Sequence, residues 1–209
     1  MQFGTVEKKK SVKLQLPVDP IRKMENVERI GHLLEKRYSQ QLADIWFFSL
    51  NTALRISDTL KVRYSDIKGI MLESRDQKTN KANIIELNEV TLEIVNRTRA
   101  KYPHDTFLFQ SRNNRGRGNN LPISRGYVYR CFKSLEADID EPVRIGTHTC
   151  RKTFGYHLYK ELGDLALVQQ ILNHSSQRET LRYIGITSDV RNATFRTRTF
   201  GISRLQRNE

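Results

Sequence analysis

Apolar residues recur along this chain with two different spacings, and the switches between them divide it into elements. Between Asn26 and Arg37, Val27, Ile30, Leu33 and Leu34 repeat at the interval of a helix with one buried stripe. From Gln41 to Leu54 the stripe widens until almost every face is apolar, through Leu42, Ile45, Trp46, Phe47, Phe48 and Leu50. Such a segment predicts a helix enclosed by the rest of the fold. At 67–88 the spacing turns strand-like: Ile70 and Leu72, a polar turn from Arg75 to Lys81, then Ile84, Ile85 and Leu87. This predicts a β-hairpin or a small three-stranded sheet. Helical spacing returns over Glu89–Tyr102, with Val90, Ile94 and Val95 apolar. After the short apolar run Thr106–Phe109 it returns again from Ser124, with Val128, Cys131, Phe132 and Leu135 on one stripe. A further helix begins near His148, Gly163 breaks it, and Leu165, Val168, Ile171 and Leu172 mark a short apolar helix. The fold class predicted is mainly α with a small antiparallel β-sheet (α+β).

Charge adds a partner to this outline. The 209 residues carry 36 Lys and Arg against 23 Asp and Glu, a formal net charge of +13. That excess points to a polyanion, and nucleic acid is the commonest one. Arg112, Arg115 and Arg117 fall in a glycine-containing loop at 111–120, while Arg125 and Arg130 lie off the apolar stripe of the helix that follows. These five are the candidates for phosphate contacts. Residues 1–22 read as a basic arm with a Lys8–Lys10 run, ending near Pro17 and Pro20. The tail, 188–209, interleaves Arg191, Arg196, Arg198, Arg204 and Arg207 with Phe195, Phe200, Ile202 and Leu205. Three fates are open to it: folding back, passing to a neighbouring protomer, or binding DNA. Cys131 and Cys150 have no CxxC partner and read as core or near-site residues in a reducing compartment, without a disulfide or zinc role. No run of about 18 apolar residues occurs, so no membrane partner is expected and the localisation expected is cytoplasmic, at the nucleoid.

Chemistry concentrates in two places. Arg55 directly follows the enclosed helix, where a guanidinium drawn inward stays charged and needs an anionic partner. Asp58, one turn on, is placed to orient it or a nearby imidazole, and Ser57 and Asp58 offer caps for a short following helix. Further along, His148 and Arg151 stand three apart where a helix begins, so they share a face. His174 falls just past the end of the Leu165–Leu172 helix, and Tyr183 lies nine residues beyond it. Imidazole, guanidinium, imidazole and phenol in this order are what a metal-free attack on a phosphodiester needs. Singly they mean little: His157 also lies on a helix, and Tyr183 is one of eight tyrosines.

Together the segments His148-Thr-Cys-Arg151, Leu172-Asn-His174-Ser-Ser and Thr180-Leu-Arg-Tyr183 resemble the C-terminal signature of tyrosine recombinases, the phage-integrase family. Ala53-Leu-Arg55-Ile-Ser-Asp58 resembles that family's first arginine motif, and the likeness runs from Asn26 to Gly185. It implies a catalytic domain at 23–187 with Arg55, Lys78, His148, Arg151, His174 and Tyr183 as catalytic residues and Asp58 in support. Lys78 matches the family's β-turn lysine, a general acid, and Lys81 is the other candidate. The activity implied is site-specific recombination or integration through a 3′-phosphotyrosine intermediate. Tyr183 attacks, Arg55 and Arg151 hold the phosphate oxygens, His148 moves the proton, and His174 donates. No cofactor, metal or ATP is implied. The implied partners are a double-stranded recombination site, a homo-tetramer on DNA from a monomer or weak oligomer without it, and host DNA-bending factors. Tail exchange between protomers also follows from the likeness.

Two departures stand out. The residues before the first helix leave no room for the family's N-terminal DNA-clamping domain, so a catalytic-domain-only recombinase or a fragment of a longer protein is expected. Asn173 stands where the family usually has glycine, and asparagine tolerates the left-handed backbone needed there. The competing readings are a type IB topoisomerase-like relaxing enzyme and a non-catalytic DNA-binding regulator. The second would account for the charge and not for six aligned positions.

Overall fold

Helix α2 (Gln40–Thr52) occupies the centre because its sequence leaves almost no face for water: Leu42, Ile45, Trp46 and Phe48 are completely buried. The chain is described here by a computed structural model covering residues 18–75, 82–112, 120–186 and 195–197. Ser39 starts α2 by accepting the Leu42 N–H. Helix α1 (Met24–Arg37) lies against it through Val27, Ile30 and Leu34. The buried indole of Trp46 donates to the Val27 carbonyl at 3.0 Å, which satisfies its one polar atom. Its ring meets Phe132 edge-on at 5.2 Å, and Phe48 meets Phe109 similarly at 5.5 Å. One acid is enclosed as well. Asp44 accepts from Gln40 at 2.9 Å and from Arg97 at 2.5 Å; burial pushes its carboxyl up, and those two donors pull the other way.

α2 ends two residues before the Leu54 that periodicity suggests. Ala53 takes a left-handed conformation, φ 53°, and turns the chain sharply into Arg55. The short α3 (Ile56–Thr59) follows, with Arg55 at its N-cap and no side-chain cap bond. Capping by Ser57 and Asp58 is therefore a wrong expectation: both lie inside the helix, too late to reach its first free N–H groups.

Strands β1 (Ile67–Lys68), β2 (Met71–Arg75) and β3 (Ala82–Glu86) form an antiparallel sheet in the order β1-β2-β3. Leu72 pairs with Ile67 and Ile85 and is fully buried, pinning the sheet to the main core. Ile84, next to Ile85, is 69% exposed, since neighbouring strand residues point to opposite faces. Helices α4 (Glu89–Lys101) and α5 (Arg125–Lys133) complete that core, the latter through Val128, Cys131 and Phe132. This is the mainly α architecture with a small antiparallel sheet that the spacing predicts.

The remaining helices, α6 (Thr149–Leu162), α7 (Leu165–Ile171) and α8 (Gln177–Tyr183), enclose a second, smaller cluster of Ala53, Val168, Leu172 and Ile184. Gly163, φ 68°, separates α6 from α7 as predicted. Ile171 departs from its expected stripe and is exposed, because so short a peripheral helix buries only Val168 and the following Leu172. Residues 18–23, the described end of the arm, are strapped down. Ile21 is fully buried, donates its N–H to Thr153 Oγ1 at 2.9 Å and accepts His157 Nε2 at 3.0 Å, which explains His157. Arg22 and Lys23 donate their N–H groups to Glu141. Cys131 and Cys150 are buried and unbridged, and burial pushes both thiols up. Lys78, Lys81, Arg115, Arg117 and all of the tail except 195–197 lie outside the described residues. Among the described residues no helix is long and apolar enough to cross a membrane.

Candidate active site

Tyr183 is the last residue of α8, a helix of seven residues whose start is fixed twice over. Ser176 accepts the Glu179 N–H at 3.2 Å, and the Glu179 carboxylate turns back to accept from the Ser175 N–H and hydroxyl. Caps of this kind matter most in a helix too short to stand alone. The helix delivers the Tyr183 hydroxyl to 3.3 Å from His148 Nδ1 and close enough to the Arg151 guanidinium to feel its charge. Its ring stands edge-on to His174 at 4.7 Å. Burial pushes the phenol above its ordinary pKa, while the charges of Arg151 and Arg55 pull it down.

Arg151 is only 5% exposed. Its guanidinium donates to the carbonyls of Ala53 and Leu172, the latter at 2.6 Å, and so ties the end of α2 to the end of α7. Burial and the nearby Arg55 lower its pKa, and Tyr183 and Asp58 oppose them. With five N–H donors, a guanidinium bonded to two carbonyls keeps others for a ligand. Arg55 faces the same space, since its charge acts on His148, Arg151 and Tyr183. Asp58 is buried behind it and accepts from Ser57 at 3.4 Å.

His148 sits at the N-cap of α6, with its ring on Tyr183 instead of on the helix backbone. The surrounding protein, then the cations Arg125, Lys152, Arg151 and Arg55, hold its pKa below the ordinary histidine value of 6.5. His174 depends on the turn before it. Asn173 adopts φ 49°, the left-handed geometry that its sequence position requires, so the departure from glycine leaves the turn intact. The Thr180 hydroxyl gives its proton to the Ser176 carbonyl at 3.0 Å, so toward His174 Nδ1, at 3.2 Å, it accepts. The Nδ1 of His174 therefore carries a proton.

Of the six positions singled out by sequence, the structure brings Arg55, His148, Arg151, His174 and Tyr183 together, with Asp58 beneath; Lys78 lies outside the described residues. Arg125 borders the site through its charge on His148 and donates to Thr147 at 3.5 Å, and Arg130 is exposed on α5. Arg112 is engaged within the protein, paired with Asp105 and stacked over the Tyr102 ring at 3.4 Å. Sequence reasoning missed Lys152, whose Nζ lies 4.9 Å from the Tyr183 ring centre, and Thr180, which holds His174. Thr180 had a signal, standing one helical turn before Tyr183. Lys152 had only its place beside Arg151. Among the described residues no group of three or more His, Cys, Asp or Glu is arranged to hold a metal ion.

A left-handed turn delivering one arginine, a buried second arginine, two imidazoles and a phenol converge on one site. Residues 19–189 match the model of the Phage integrase family. The chain is 36% identical over 183 residues to "Probable integrase/recombinase YoeC" of Bacillus subtilis (strain 168), covering 86% of this chain and 96% of that protein. It is 30% identical over 145 residues to "Tyrosine recombinase XerD" of Halalkalibacterium halodurans, covering 65% of this chain and 46% of that one. Among solved structures, XerA recombinase superposes with a TM-score of 0.66 at 21% identity, over 94% of this chain and 68% of that chain. A lambda integrase dimer bound to a COC' core site gives 0.64 at 17%, over 81% and 49%. The chain belongs to the phage integrase family, the tyrosine recombinases. It spans nearly all of YoeC and about half of XerD.

Proposed function

We propose that this chain is a site-specific DNA recombinase or integrase that breaks and rejoins strands through a phosphotyrosine at Tyr183. One observation carries the reading: the Tyr183 hydroxyl meets His148 Nδ1 at 3.3 Å under the charge of buried Arg151, with its ring edge-on to His174. A phenol is a weak nucleophile until its proton leaves. His148, whose imidazolium is disfavoured first by burial and then by the neighbouring cations, takes that proton at Nδ1. The phenolate oxygen then bonds to phosphorus, and the bond to the 5′ oxygen breaks. Lys78, in the segment joining β2 to β3, protonates that leaving oxygen. Arg55 and Arg151 stabilise the charge spread over the non-bridging oxygens in the transition state. His174 assists from Nε2, which can donate only from the imidazolium because Nδ1–H is given to Thr180.

The phosphotyrosine keeps the energy of the broken bond, so rejoining needs neither ATP nor a metal. Double-stranded DNA is the substrate, held by phosphate contacts from Arg115, Arg117, Arg125 and Arg130, while Arg112 stays with Asp105 and Tyr102. A homo-tetramer on DNA is supported by the likeness to a lambda integrase tetramer bound to a Holliday junction, TM-score 0.64 at 16% identity.

A pool of nicked duplexes of randomised sequence tests the reading. Protein-linked DNA that survives detergent is captured, and the recovered site is resynthesised as a nicked substrate. Wild type should form the adduct, and Tyr183→Phe, lacking the oxygen, should form none while still binding the site. Absence of any adduct from wild type contradicts the reading. Relaxation of supercoils without joining of two duplexes would favour a topoisomerase-like enzyme instead.

A further inference from the structure

The turn at residues 172–174 is held at three consecutive positions, and each hold reaches a different part of the molecule. The Leu172 carbonyl accepts from Arg151, and His174 Nδ1 bonds Thr180 on the Tyr183 helix. Both of these ties stay within the site. The third does not: Asn173 Nδ2 donates to Asn83 Oδ1 at 3.0 Å, across 90 residues of chain, and so reaches strand β3. At φ 49° glycine would meet the backbone requirement without strain, and asparagine adds a side chain at some conformational cost. Here that side chain makes the bond to the sheet.

Asn83 is well placed to pass this hold on. It pairs with Ser74 in the β2–β3 ladder, beside the chain segment 76–81 that joins the two strands. Together with Ser74 and Asp58 it lines the cleft between α3 and the sheet. Both residues of the bond are half-buried, and Asn83 contributes nothing to the main core.

We infer that the Asn173–Asn83 bond is a positioning device that fixes the β2–β3 sheet against the turn carrying His174, making both asparagines positioning residues for strand cleavage. This rests on the recombinase reading above. Neither asparagine touches the Tyr183 oxygen. The bond sets how the strands flanking segment 76–81 lie relative to His174 and Arg151.

Two measurements test it. The first uses the nicked site recovered from the randomised pool and follows single-turnover adduct formation. Asn173→Gly keeps the left-handed turn and removes only the side chain. It should slow the cleavage step about threefold to tenfold, the scale of one neutral hydrogen bond, with half-saturating DNA unchanged. Asn83→Ala should do the same, the double variant should be no slower than the slower single, and Asn83→Asp, which keeps the acceptor, should retain the rate. A purely structural role would lower thermal stability and DNA affinity without singling out the chemical step. The second measurement needs no DNA: backbone amides of β3 should exchange several-fold faster in Asn173→Gly than in wild type. Wild-type cleavage by Asn173→Gly, additive losses in the double variant, or unchanged β3 exchange overturns the inference. A wild-type protein that forms no adduct fails the recombinase reading instead, and the exchange measurement then decides whether the bond holds the sheet.

Discussion

The two hydrophobic clusters of this protein differ in what they support. The larger, centred on Trp46, Phe48, Phe109 and Phe132, draws on α1, α2, α4, α5 and the sheet, and has many more buried members. The smaller, of Ala53, Val168, Leu172 and Ile184, rests on the short helices α7 and α8, yet it carries Tyr183 and the turn of His174. The large cluster makes a rigid platform from which Arg55 projects. The small one holds Tyr183 with caps, one buried guanidinium and a few apolar contacts. Local stability follows the number of buried contacts, so opening around α7 and α8 is expected to cost less than opening around α2. On the proposed reading, that division suits a tyrosine that must both engage DNA and release it.

Cutting into each side separates the two roles. The largest stability effect is expected from Trp46→Ala, which empties the centre of the large cluster and should cost about 3–5 kcal/mol in urea unfolding. A loss below about 1 kcal/mol would mean that the platform does not rest on α2.

Arg151→Lys probes the seam between the clusters. Lysine keeps the charge but cannot bridge the Ala53 and Leu172 carbonyls or fork onto two phosphate oxygens. Cleavage should fall on the order of 10²–10³-fold, as when one transition-state donor is removed. Fluorescence of Trp46, the single tryptophan, should still report a folded large cluster. Collapse of that signal would show that the clusters are one unit.

The smallest expected effect is a displaced pH profile. His148 has a folded-state pKa below 6.5, lowered by the surrounding protein and four cations, and on the proposed reading its neutral form is the competent base. The acid limb that loss of the neutral His148 puts on the cleavage rate should therefore be centred below 6.5. A limb centred at or above 6.5 would assign the proton transfer to another group.

Sequence reading reached the helical and sheet part of the large cluster, because α2 is apolar almost all round and the change of spacing at Ile67 marks the sheet. It did not reach Ile21, Leu60, Val62, Ile139 or Ile145, which lie in connecting segments and turns. It also placed five site residues in order, since motif spacing survives without any knowledge of contacts. It missed what joins distant segments. Arg151 meets Ala53 across 98 residues, and Asn173 meets Asn83 across 90. No local pattern encodes such pairs. Ala53 in a left-handed turn is equally silent, since alanine there looks like one more residue of the preceding helix. The expected caps at Ser57 and Asp58 failed for a related reason: composition suggested them, but the tight turn moved the helix start back to Arg55.

The identity of the residue that becomes linked to DNA tests most directly whether Tyr183 supplies the attacking oxygen. Protein trapped on the recovered nicked site can be digested with trypsin and nuclease and the modified peptide sequenced by mass spectrometry. A single nucleotide-bearing peptide is expected, with the phosphate on Tyr183. Phosphate on any of the other seven tyrosines, all absent from this constellation of His148, Arg151 and His174, would contradict it.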